Sequence, residues 1–314
     1  MASTKDTLEL ICFPGAPNLP IFAAREKDYF AERGIDVNLT TTPSSVYQAE
    51  NLINGKFQIA GTAIDNVVAY RENQGAVSFD TTPDLFVFMG ATRIELSFVV
   101  APGIETFADL KGKSLAMDAL STGFAFVLYR MLENAGLSRD DYELVPVGAT
   151  PERWRSVETG EHAGTLTIEP FTGMALAKGF KVLESSLDTF EHYQGGSFAA
   201  RRAWAAANED TLVSFIAGYL KGLAWTLDPK NRAEATEMLL RNMPAIKPQA
   251  VEKVMNKLLS EKTGLTPLAK INMDGLKTVL DLRSQYVAQD TPLTDPGKYL
   301  DLTYYEKALK SLQS

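Results

Sequence analysis

The sequence predicts an α/β protein of two lobes, each built on a mixed, mostly parallel sheet flanked by helices. Three observations carry this prediction. Strand-like apolar runs and helix-like segments alternate from residue 8 to about residue 205, the pattern of strand–helix–strand units. Glycines stand where helical segments should stop, at Gly34, Gly55 and Gly136. The alternation also runs twice, and 314 residues suit two cores of ordinary size better than one oversized core.

The elements follow in order. Residues 8–13 form an apolar first strand, and residues 14–18 a loop rich in proline and glycine. A helix starts near Leu19, with Ile21, Phe22 and Phe30 apolar, and ends before Gly34. Residues 35–39 alternate apolar and polar, as a half-buried strand does. A polar loop over 40–45 leads to a helix with Val46, Ala49, Leu52 and Ile53 on one face. Residues 57–60 read as the third strand, and residues 61–66 as a polar turn opening another helix. Strands at 85–89 and 96–101 flank Gly90, Ala91, Thr92 and Arg93, the expected first crossing between lobes.

The second half repeats the logic, with strands at 114–117, 142–147 and 164–168 and helices over 122–135 and from Pro151. After Gly195 and Gly196 the chain should cross back through residues 198–200, and from Asp210 it reads as mostly helical. The expected lobes are therefore residues 1–92 with 199–314, and residues 93–198, hinged near 91–95 and 194–199.

Composition narrows function. The chain carries a net charge of -8 and a pI near 5.0, which favours neither nucleic acid nor an anionic membrane surface as partner. No stretch approaches the ~20 apolar residues needed to span a bilayer, so no membrane insertion is expected. One cysteine, Cys12, and two histidines, His162 and His192, practically exclude a structural zinc site. The opening residues 1–7 lack an apolar signal core. Either an export signal has been removed, which implies a periplasmic or lipid-anchored extracellular protein, or Met1 is native and the protein is cytoplasmic.

Four segments then carry a family resemblance. Residues 19–30 (Leu-Pro-Ile-Phe-Ala-Ala-Arg-Glu-Lys-Asp-Tyr-Phe) followed by Gly34, Ile35, Asp36 and Val37 resemble the opening of type II periplasmic binding proteins. They are most similar to the NMT1-like branch that binds sulfonates, taurine and thiamine precursors. Residues 52–60 are similar to that branch's Leu-x-x-Gly-x-x-Asp-Ile-Ala segment, with Gln58 in place of the acidic residue. Residues 107–116 resemble the start of its second lobe, and residues 167–171 its strand-to-loop segment ending in an acidic residue and proline. The resemblance implies a venus-flytrap fold with a helical C-terminal region. It also implies a small-molecule ligand and delivery to an ABC transporter permease.

In open α/β sheets ligands lie beyond the carboxyl ends of strands, where loops enter helices. Applied here, the rule selects Phe13, Asn18, Ser44, Ser45, Thr62, Asp65 and Asn66 in the first lobe. In the second it selects Asp118, Ser121, Thr122, Gly123 and Glu169, and Arg93 is added beside the hinge as a clamp for a carboxylate or sulfonate. Residues 118–124 join a strand to a helix and form an anion site by their free N–H groups. Ser121 or Thr122 would equally serve as a helix cap. Arg71, Arg153 and Trp154 rank below these.

No G-x-S-x-G elbow, P-loop, H-E-x-x-H or strand-linked G-x-G-x-x-G occurs, so no catalytic residue, cofactor or metal is expected. Ser197, with His192 five residues before it, has no triad signature around it. The leading expectation is a solute receptor for a small organic anion or heteroaromatic compound. The alternative is a leaderless cytosolic enzyme on the same fold, a cofactor-independent decarboxylase or hydrolase of an aromatic acid.

Overall fold

A computed structural model describes residues 6–313. Residues 1–5, on which the expectation about an export signal bears, and residue 314 lie outside the described residues. The first half contains β1 (Asp6–Cys12), α1 (Leu19–Glu26), β2 (Ile35–Thr41), α2 (Ser45–Ile53), β3 (Ile59–Ala63), α3 (Ile64–Arg71) and β4 (Leu85–Gly90). Then follow β5 (Ser97–Val100), β6 (Lys113–Met117), α4 (Gly123–Asn134), β7 (Tyr142–Pro146), α5 (Thr150–Glu158), β8 (Gly164–Thr167), α6 (Phe171–Ala177), β9 (Lys181–Ser185) and α7 (Ser186–Thr189). The chain closes with β10 (Gly196–Arg201), α8 (Arg202–Ala207), α9 (Glu209–Leu227), α10 (Arg232–Asn242), α11 (Pro248–Leu258), α12 (Met273–Tyr286) and α13 (Thr303–Ser311).

Two five-stranded sheets result, ordered β2-β1-β3-β10-β4 and β7-β6-β8-β5-β9. In the first, β1 is parallel to β2 and β3, and β10 is antiparallel to β3 and β4. In the second, β6 is parallel to β7 and β8, and β5 is antiparallel to β8 and β9. The two sheets thus share one topology. In each, the strand that follows a crossing takes the antiparallel place beside the third parallel strand. Every residue of β4 and β5 is buried, which is why residues 85–90 and 98–100 read as apolar runs.

One large apolar core joins β1, β3, β4 and β10 to α1, α9, α10, α11 and α13. A second lies on the other face of the first sheet and continues into the second sheet through Leu276, Val279 and Leu280 of α12. That helix packs on both α3 and α4, so the C-terminal region spans the two halves. No helix among the described residues is long and apolar enough to cross a membrane.

Three local features differ from the sequence reading. Helix α1 stops at Glu26, and Phe30 sits in the following turn, where Asp28 takes a positive φ of 59°. Strand β3 begins at Ile59 and continues through Gly61 and Thr62, because Phe198 and Ser197 of β10 pair with those residues. Strand β9 was not expected at all. It is an edge strand, partly exposed along most of its length, and shows little alternation.

Candidate functional site

The carboxyl ends of the parallel strands in the two sheets face each other across a cavity of about 100 Å³. Its walls are mainly apolar. Phe13 follows β1, Phe124 opens α4, Phe198 lies on β10, and Ile94 and Ile168 complete the apolar lining. Polar groups enter from both sides: Asn18, Thr62 and Asn66 from the first sheet, and Asp118, Thr122, Thr150 and Arg153 from the second.

Local hydrogen bonds fix these polar groups. Asn18 donates Nδ2–H to Phe13 O at 2.9 Å, and Asn66 donates to Thr62 Oγ1 at 2.9 Å, so both side-chain oxygens remain as acceptors. Thr122 is the N-cap of α4, but its hydroxyl donates backwards to Ala119 O at 3.0 Å. The first N–H groups of that helix, at Gly123 and Phe124 on the cavity wall, therefore have no side-chain cap and keep their positive character.

Arg153 brings a positive charge to the lining and is only 2% exposed. Its Nε donates to Thr165 Oγ1 (3.0 Å), Nη1 to Gly148 O (2.8 Å), and Nη2 to Thr150 Oγ1 (3.1 Å) and Leu166 O (3.0 Å). All four acceptors are neutral, and a guanidinium has five donors. Burial lowers its pKa, partly opposed by the charges of Asp118 and Glu152. Asp118 itself accepts from the backbone N–H of Ser45 at 3.0 and 3.1 Å across the gap between the sheets.

Other bonds also bridge the two halves. Ala149 N–H donates to Pro43 O at 2.8 Å. Arg283 of α12 donates to both Asp65 oxygens (2.8 and 2.6 Å) and to Ser121 O (2.9 Å), with the ion pair 0% and 1% exposed. Gly123 lies against this pair. A Cβ added there would come within 2.7 Å of Asp65 Cβ and 3.0 Å of the Tyr193 hydroxyl. The cleft is shut.

Of the residues selected from sequence, Phe13, Asn18, Thr62, Asn66, Asp118, Thr122 and Gly123 line this cavity. The others lie elsewhere. Ser44 caps α2 by accepting from Tyr47 N–H, and Ser45 holds Asp118 from outside the lining. Asp65 is occupied by Arg283, and Ser121 offers that arginine its carbonyl. Arg93 is exposed, so its charge is solvated rather than aimed at a ligand. Trp154 is core, edge-on to Phe180 at 4.8 Å, and Arg71 pairs with Asp84 at the surface.

Glu169 lines a second cavity of about 360 Å³ with Glu95, Lys253, Lys257 and Leu176. Its carboxyl is pushed up in pKa by burial, against a hydrogen bond from Gly173 N–H. The two cavities share Pro17, Thr92, Ile94 and Ile168 as walls. Ile94 has φ of +45°, a conformation that costs a β-branched residue on the order of 1–3 kcal/mol. Its side chain fills the space where any side chain on Gly195 would stand.

Two further cavity residues bear on chemistry. Cys12 is buried, and desolvation pushes its thiol up to about 12, so it stays protonated at neutral pH. Ser197 donates to Thr62 O at 3.1 Å, while His192 is half-exposed and outside the lining. Among the described residues, no group of three or more His, Cys, Asp or Glu is placed to hold a metal ion.

A model of the family described as NMT1/THI5 like matches residues 17–233. No curated protein sequence matches the chain. Among solved structures, the periplasmic nitrate-binding protein NrtA from Synechocystis PCC 6803 superposes with a TM-score of 0.82 at 13% identity, covering 98% of this chain and 89% of that one. The alkanesulfonate-binding protein SsuA from Xanthomonas axonopodis pv. citri, bound to MOPS, gives 0.72 at 17% identity, covering 95% and 97%. The desulfurization enzyme DSZB gives 0.65 at 15% identity, covering 98% and 100%. The fold is that of a type II periplasmic binding protein.

Proposed function

Because the chain belongs to the NMT1/THI5-like family, we propose that it is the solute-binding component of an ABC-type uptake system, capturing a small organic anion or heteroaromatic compound. The carrying observation is the cavity between the sheets, with Arg153 buried in its wall and hydrogen-bonded only to neutral acceptors. A cation held in low dielectric attracts a ligand's anionic group far more strongly than one in water. The uncapped N-terminus of α4 adds to that field. Phe13, Phe124 and Phe198 offer ring faces to an apolar or planar body. Asp118, Asn18 and Asn66 supply acceptors for ring N–H groups, which orient the ligand.

On this reading the lobes are residues 1–92 with 199–314, and residues 93–198, turning about crossings near 91–95 and 194–199. Ligand enters when the bonds Ser45–Asp118, Ala149–Pro43 and Arg283–Ser121 part, and it stabilises the form in which they are made. A membrane permease then reads the closed form, and the protein works in the periplasm or held outside the cell. The likenesses to a nitrate-binding and an alkanesulfonate-binding protein support an anionic ligand.

The enzyme reading, supported by likeness to DSZB, finds neither an activated thiol nor an imidazole in the cavity. Cys12 is a protonated thiol, and neither His162 nor His192 lines the wall. Titration calorimetry with alkanesulfonates, aromatic carboxylates and aminopyrimidines tests the proposal. One class should bind one-to-one and be recovered unchanged. Turnover of the bound compound would overturn the receptor reading.

A further inference from the structure

The two neighbouring cavities share four wall residues, and three of these are fixed by their surroundings. Pro17 is held by its ring in a short 3-10 turn, Ile168 by its carbonyl, which accepts from Phe171 N–H (2.8 Å) and Thr172 N–H (3.2 Å), and Thr92 by its N–H to Gly196 O at 3.4 Å. Ile94 is different. It belongs to the irregular crossing between β4 and β5 and keeps a backbone conformation that branched side chains avoid. Gly195, on the opposite crossing, leaves the room its side chain fills.

We propose that Ile94 sets the length of the ligand. Its side chain closes the inner apolar cavity against the larger outer one, so the native protein takes a compact ligand. A smaller residue at this position joins the two chambers and admits a longer molecule. The outer chamber can take an alkyl chain along Leu176, Val182 and Leu258, with Glu169, Lys253 and the Lys257–Glu95 pair at its polar side. This inference rests on the solute-binding reading above and names the residue that limits ligand size within it.

The test uses n-alkanesulfonates from two to ten carbons, titrated into the native protein and Ile94→Ala. Native affinity should rise with length, then fall at least tenfold within the next two carbons. In Ile94→Ala the optimum should move by two carbons or more, with the longest members bound at least tenfold tighter than by the native protein. Adding Leu176→Trp, which fills the outer chamber from a partly exposed position, should return the optimum to its native length. Should Ile94→Ala not fold, Ile94→Val should move the optimum by one carbon. An unmoved optimum overturns the inference and leaves the receptor reading standing. Failure of every member to bind either protein overturns the inference and excludes alkanesulfonates as the ligand class, while binding of an aromatic carboxylate or aminopyrimidine in the same calorimetry keeps the receptor reading.

Discussion

Arg153 has five N–H donors and four neutral acceptors, and its place in α5 explains why sequence ranked it low. An arginine inside an amphipathic helix is ordinarily solvated, and only the return of Thr165 and Leu166 on β8 encloses this one. Arg153→Lys keeps the charge but loses the planar fork. Calorimetry should show at least a tenfold weaker anionic ligand, about 1.4 kcal/mol. An unchanged Kd would remove Arg153 from the site. Arg93 has the right chemistry for a clamp, but it is exposed, and its neighbour Ile94 is among the four residues that line both cavities. Nothing in the sequence marks a strained isoleucine. Glu169 carries a pH prediction. Its carboxyl is raised by burial, so the folded state favours the protonated form. The stability it contributes is complete below the unfolded value of 4.5 and is lost as pH rises through the higher folded value. Glu169→Gln should therefore raise the melting temperature at pH 7 and leave it nearly unchanged at pH 4. Equal shifts at both pH values would contradict that assignment.

The alternation of strands and helices was legible because buried parallel strands are apolar runs and the helices that cover them end at glycine. What escaped was set by partners distant in sequence. Gly61 and Thr62 look like a turn until β10 pairs with them, and β9 is an edge strand whose residues are mostly half-buried. Seven of the selected site residues reach the cavity because the strand-end rule depends on topology alone. Asp65 and Ser121 satisfied the same rule, yet they meet Arg283 from α12, a helix far along the chain. The contact between α4 and α3 is tight enough to test. In Gly123→Ala the new methyl would press on Asp65 at 2.7 Å, where overpacking costs about 1–3 kcal/mol. If the two halves part to admit ligand, as proposed above, ligand affinity should fall by tenfold or more while urea unfolding of the free protein changes less. Equal losses in both would place the cost in folding instead.

For the whole molecule, the buried Asp65–Arg283 pair joins the first sheet, the second sheet and the C-terminal region at one point. Asp65→Asn leaves a guanidinium without its counter-charge and should cost about 3–5 kcal/mol in urea unfolding. A loss under 1 kcal/mol would mean that water reaches Arg283 in solution. The pairing of Ala91 N–H with Gly196 O at 3.0 Å has a different consequence. It holds the exit from the first sheet and the return to it side by side, so everything between them is inserted through one narrow doorway. A relative's corresponding segment spliced in at those two points would therefore leave the backbone of the first sheet unbroken and would need to match the host where α12 packs on α4 and Arg283 meets Ser121.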